Sequence, residues 1–160
     1  MAASSSSSIE KSFKYDVFLS FRGTDTRKNF IDHLYQALQE KGIYTYKDEE
    51  RITKGKKISD DLLESIKDSR FYIVVFSKNY ASSSWCLEEL VKIMECHKTK
   101  KHTAYPVFFD VEPTEVRHQT GVVGEAFSKH ENNEAAGKWR NALKEAADLA
   151  GWELKNTAYG

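Results

Sequence analysis

Two adjacent carboxylates, Glu88 and Glu89, follow an indole and a thiol in the segment Ser82-Ser-Ser-Trp-Cys-Leu-Glu-Glu-Leu. Set on a helix at about 100° per residue, they part company. Cys86, Leu87, Leu90, Val91, Ile93 and Met94 form one broad apolar face, and Glu88 falls opposite it, free to pair with Lys92 one turn on. Glu89 falls at the edge of the face, between Trp85 and Ile93. A carboxylate partly desolvated beside an indole interacts strongly with any positive charge that comes near. The same stretch also reads as an ordinary helix, capped by the oxygens of Ser82, Ser83 or Ser84, whose first-turn acids favour the positive end of its dipole.

Other elements must bring something to Glu89. Phe71 to Phe76, short and rich in β-branched and aromatic residues, reads as a central strand buried on both faces. Tyr15 to Phe21 reads as the first strand, ending in the turn Arg22 to Arg27, where Gly23 permits a tight bend and Thr24 or Asp25 can cap a helix. Phe30, Ile31, Leu34, Ala37, Leu38 and Lys41 recur at helical spacing until Gly42 stops them. Ile43 to Lys47 is a second short strand. After it, Asp48 to Lys57 is a polar loop in which Lys54, Lys56 and Lys57 around Gly55 either meet phosphates or stay solvated. No Gly-x-x-x-x-Gly-Lys-Ser/Thr pattern makes it a P-loop.

Ser59 caps a helix with Asp60 and Asp61 in its first turn and Leu62, Leu63 and Ile66 inward. His97 to His102 reads as a solvated connector. Ala104 to Phe109 is strand four, with Pro106 placed at a strand start or near an edge because it lacks a ladder donor. Asp110 to Arg117 is turn chemistry leading into a short or irregular helix interrupted by Gly121 and Gly124. Lys138 to Ala150 is a helix with Trp139, Leu143, Ala146, Ala147 and Ala150 inward, closed by Gly151. Trp152 to Leu154 is the last strand.

Strands alternating with helices imply an open parallel α/β sheet with right-handed crossovers and helices on both faces. Five strands in this order suit the flavodoxin-like arrangement 2-1-3-4-5. Its ligand crevice opens outside the carboxyl ends of strands one and three, where strand order reverses. That topology brings Arg22, Gly23, Trp85 and Glu89 to one cleft.

Composition bounds the function. The chain has 160 residues, enough for one domain. Its 24 basic and 24 acidic residues cancel, which gives little support to nucleic-acid or anionic-membrane binding. No apolar run has the length of a membrane span. Cys86 and Cys96 lie on one helix and cannot face each other for a disulfide, which suits a reducing compartment. The scattered histidines lack metal-ligand spacing, so no metal site is expected. Residues 1–12 are expected to be a disordered Ser-rich leader, 13–154 the folded domain and 155–160 a frayed tail.

The segments Tyr15-Asp-Val-Phe-Leu-Ser-Phe-Arg-Gly, Asp25-Thr-Arg, Ser82-Ser-Ser-Trp-Cys-Leu-Glu-Glu-Leu and Phe108-Phe-Asp-Val-Glu-Pro-Thr-Glu-Val-Arg resemble the signature segments of plant Toll/interleukin-1 receptor (TIR) domains. The resemblance runs from Tyr15 to about Leu154. Such domains open plant intracellular immune receptors that continue into a nucleotide-binding region and leucine-rich repeats. Neither follows here, so an excised domain or a TIR-only protein is expected. Three places depart from the family pattern. Thr24 stands where an acid often follows Arg-Gly, Asp32-His33 replaces the frequent Ser-His of the self-associating first helix, and the connector Glu131 to Gly137 is short.

What the resemblance implies is an NAD⁺-cleaving enzyme of defence signalling that works when self-associated. NAD⁺ is then substrate and no cofactor is required. Glu89 takes the place of the catalytic glutamate. Arg22, Gly23, Thr24, Asp25, Thr26, Arg27, Gly55, Trp85 and Cys86 take the substrate-binding positions, and His33 and Gly151 those of self-association. Expected partners are further copies, other TIR domains and, through the products, lipase-like immune proteins, in a cytoplasmic or nucleocytoplasmic location. The alternative is a non-catalytic scaffold that only holds TIR domains together.

Overall fold

Side chains of a strand alternate between faces, and in this chain each face has a distinct apolar set. The computed structural model describes residues 13–23, 30–47, 60–99 and 101–154. Phe18, Tyr72, Val74, Phe76, Ala104 and Phe108 point to one side of the sheet; Val17, Leu19, Phe71, Ile73, Val75, Val107 and Phe109 point to the other. The strands are β1 (Tyr15–Ser20), β2 (Thr45–Lys47), β3 (Ser69–Phe76), β4 (Thr103–Phe109) and β5 (Trp152–Leu154). They form one parallel sheet in the order β2-β1-β3-β4-β5, as the sequence implies.

The helices are α1 (Asp32–Glu40), α2 (Asp60–Lys67), α3 (Ser84–His97), α4 (Pro113–His118), α5 (Gly121–Phe127) and α6 (Ala136–Ala147). Both faces carry helices, but unequally. Among the described residues the first face packs against α2 to α6, while the second has α1, through Leu34, Tyr35 and Leu38, with Phe30 and Ile31 just before it. Gly42, at φ +77°, ends α1 as a left-handed residue. Pro106 pairs in register with Val74 of β3 and lies one residue before β5 joins at Val107, so its missing donor falls where β4 still acts as an edge.

Several expectations need correction. Helix α6 ends at Ala147, not Ala150, which is exposed. Arg117 stops it from outside, with Nη2 donating to Ala147 O at 3.1 Å and Nε to Asp148 Oδ1 at 2.6 Å. Gly121, at φ +56°, stands with left-handed Gln119 at the break between α4 and α5, as expected, but Gly124 lies inside α5, where a Cβ would strike the Gln119 carbonyl, and interrupts no helix. Lys92 pairs with Glu95, at 3.7 Å, instead of Glu88. His102 is no solvated connector residue. It is 7 % exposed, and its Nδ1 lies 2.8 Å from Ser69 O, which can only accept, so the proton sits on that nitrogen. Tyr72 stacks on it and donates to Ile66 O; burial, with Cys96 beside it, holds the phenol far above the ordinary range.

Candidate functional site

The polar residue at the end of β1 decides the site. Ser20 follows the apolar run Val17 to Leu19 and takes the parity of Phe18, so its hydroxyl points into the helix layer. There it donates to Glu89 Oε1 of α3 at 2.8 Å. Its oxygen also lies 2.7 Å from the hydroxyl of Tyr80, in the short 3-10 turn Tyr80–Ser82 after β3, and Tyr80 lies 3.2 Å from Cys86 O. Glu89 is therefore interior, 2 % exposed, not at the edge of the face as the periodicity implies. A buried carboxylate needs such donors, because desolvation of an unpaired one costs several kcal/mol.

The start of α3 is fixed by Ser83, whose Oγ accepts from Cys86 N at 3.1 Å; a cap of this kind contributes about 1 kcal/mol. The first turn then sits against the loop after β1, since Cys86 Sγ reaches Phe21 O at 3.5 Å. Arg22 and Gly23 are half-buried in that loop, and Trp85 is half-buried one turn before Glu89. So β1, β3 and α3 bring Arg22, Gly23, Trp85, Cys86 and Glu89 together at the carboxyl ends of β1 and β3, where strand order reverses. Thr24, Asp25, Thr26, Arg27 and Gly55 lie outside the described residues. The two expected self-association residues are elsewhere. His33 is exposed on α1, and Gly151 stands before β5, on the far side of β4 from the crevice.

Sequence reasoning missed Ser20 and Tyr80. The available signal was a serine inside an otherwise apolar strand, on the side that faces the helices. It also missed His130, which is 7 % exposed, edge-on to Trp139 and Phe127, with Nε2 donating to Ser82 O at 3.2 Å. His130 thus ties the end of α5 to the turn ahead of α3. Burial foremost, then Lys129, lowers its pKa below the ordinary 6.5, against the raising effect of the Ser82 and Ala81 backbone. With the folded value depressed, the stability from neutral His130 is complete above about pH 6.5 and is lost as pH falls toward the folded value. Urea unfolding at pH 7.5 and 5.5 is expected to show a smaller loss of stability on acidification in His130→Gln than in the unaltered protein.

Among the described residues no group of three or more His, Cys, Asp and Glu is arranged to hold a metal, and no helix is long and apolar enough to cross a membrane. The family model for the TIR domain matches residues 14–159. The chain is 51% identical over 160 residues to disease resistance protein RPV1 of Vitis rotundifolia, covering 99% of this chain and 11% of that protein. It is 52% identical over 156 residues to TMV resistance protein N of Nicotiana glutinosa, covering 94% of this chain and 13% of that protein. The chain thus spans little more than a tenth of these relatives. It superposes on the TIR domains of the activated Roq1 resistosome, which directly recognises the pathogen effector XopQ, with TM-score 0.81, 51% identity and 92% of each chain covered. Sheet order and similarity agree, and the chain belongs to the TIR domain family, with its relatives among plant disease-resistance proteins.

Proposed function

We propose that this domain cleaves the bond between nicotinamide and ribose in NAD⁺ when copies of it assemble, and that Glu89 is its catalytic residue. The observation that carries the reading is a buried carboxylate, held by a hydroxyl donor, at the carboxyl ends of β1 and β3 in an open α/β sheet. One carboxylate suffices for this chemistry. The electron pair of the C1′–N bond leaves with the pyridinium nitrogen, so nicotinamide departs neutral and needs no acid. The positive charge stays on the ribosyl carbon, where a fixed negative charge lowers the barrier. Water then adds to that carbon and releases a proton, giving ADP-ribose, or an internal nucleophile closes a cyclic product. Trp85 is suited to pack on a ring of the substrate and Arg22 to meet the pyrophosphate.

At 2 % exposure Glu89 offers almost nothing to a dissolved ligand in the isolated domain. The crevice must rearrange to admit a ribose, and packing between copies is a source of the energy for it. Assembly of TIR domains in the resistosome relative supports this, as does the exposed α1 with His33. The same relatives support a role in plant disease resistance through contacts with further TIR domains; the products are proposed to be read by lipase-like partners in the cytoplasm or nucleus. Nicotinamide release measured against domain concentration tests the reading. Specific activity is expected to rise with concentration and under crowding. No release from a preparation shown to assemble would favour the scaffold that only gathers TIR domains.

A further inference from the structure

The hydrogen-bond chain that ends on Glu89 has a direction. Ser20 has one proton and donates it to Glu89 Oε1 at 2.8 Å. Its oxygen can then only accept from Tyr80, which is 2.7 Å away and has one proton of its own. Tyr80 has a second acceptor within reach, Cys86 O at 3.2 Å, in the first turn of the helix that carries Glu89. All four residues are at most 2 % exposed, so water does not stand in for a missing partner. The chain crosses three elements, β1, the turn after β3 and α3, and it converges on one carboxylate oxygen. The Cys86 thiol, the titratable group beside Tyr80, is turned to Phe21 O, and the Arg22 guanidinium belongs to the loop that begins one residue after Ser20.

We propose that Ser20 and Tyr80 are positioning residues for Glu89: Ser20 holds the Oε1 oxygen in place and favours the charged carboxylate, and Tyr80 orients the Ser20 hydroxyl. The kinetic part rests on the hydrolase reading above; the geometric part does not. A donor aimed at a carboxylate stabilises its ionised form, and a charge-assisted hydrogen bond in a dry site is among the stronger ones. It also restricts the carboxylate to one rotamer, so the negative charge stands ready where positive charge develops on the ribosyl carbon. A buried strand serine whose hydroxyl is satisfied elsewhere would hold the fold together equally well without moving Glu89's titration. Ser69 makes the comparison. It is another fully buried strand serine, donating to Ser65 O at 2.8 Å at the amino end of β3, far from the crevice.

The test follows the Glu89 side-chain carboxyl carbon by NMR through a pH titration of the labelled domain, assigned by its loss in Glu89→Gln. Ser20→Ala is expected to raise the Glu89 midpoint by about one pH unit, Tyr80→Phe to raise it by less, and Ser69→Ala to leave it unmoved. In assembled protein, Ser20→Ala is expected to lower kcat about tenfold to a hundredfold with KM within about threefold of the original. A Glu89 midpoint in folded Ser20→Ala equal to that of the unaltered protein overturns the proposal. So does an equal shift in Ser69→Ala. If the unaltered domain, shown to assemble, releases no nicotinamide yet its Glu89 midpoint moves in Ser20→Ala, the hydrolase reading falls and the positioning of Glu89 stands. Tyr80→Phe removes a single oxygen from a packed ring and keeps the test open should Ser20→Ala fold poorly.

Discussion

Glu89→Gln is expected to reduce nicotinamide release by about a thousandfold while the domain remains folded and able to assemble, the size of effect seen when one preorganised electrostatic group is removed. The choice of glutamine matters because of where Glu89 lies. Alanine would open a cavity at a site 2 % exposed and leave the Ser20 hydroxyl without its acceptor, so lost activity would be confounded with lost structure. Glutamine keeps the volume and an oxygen that accepts from Ser20; the charge goes, and a donating amide takes the place of the second carboxylate oxygen. Thermal unfolding should move by a few degrees at most, and upward if the desolvated charge is costly to the fold. Retention of more than a tenth of the activity would remove Glu89 from the catalytic role. The measurement is nicotinamide release at matched, assembled protein concentration.

How much of this site was legible beforehand follows from what periodicity encodes. An angle of 100° per residue separates Glu88 from Glu89, and the crevice rule for open sheets brings Arg22 and Trp85 to the same end. Angle does not give depth. Glu89 is interior because Tyr80, nine residues earlier in the turn after β3, and Ser20, from another strand, close over it. No local pattern predicts that pairing. Its one trace is the parity of Ser20 within an apolar strand.

The fold was legible for a different reason. Strand order depends on the alternation of apolar strands and amphipathic helices, which is written along the whole chain. Helix ends were legible only where a local device sets them, as Gly42 does for α1 and Ser83 for α3. The end of α6 is set by Arg117 from α4, a tertiary contact, and the sequence around Ala147 carries no stop signal of its own. Partner choice among charges failed likewise. Glu95 and Glu88 are both within a turn of Lys92, and side-chain rotamers decide between them.

Gly151 separates fold from assembly most sharply. Resemblance gives it a self-association role, and it is exposed. Yet a Cβ built on it would collide with the carbonyl oxygen of Pro106 and come within 2.7 Å of Pro106 Cγ. Strand β4 cannot retreat, since six of its residues are in register with β3, from Phe71↔Thr103 to Phe76↔Phe108. Strand β5 is held by three pairs, so it is the one to give way. Gly151→Ala is therefore expected to destabilise the isolated domain by about 3 kcal/mol, the upper part of the range for overpacking, because the obstructing atoms are backbone and a proline ring. For a domain of this size that lowers Tm by about 10 °C. The measurement is thermal unfolding of dilute monomer, where self-association contributes nothing. An unchanged monomer Tm together with lost assembly would give Gly151 to the interface. A lowered monomer Tm makes any loss of assembly in this variant a consequence of β5 leaving the sheet.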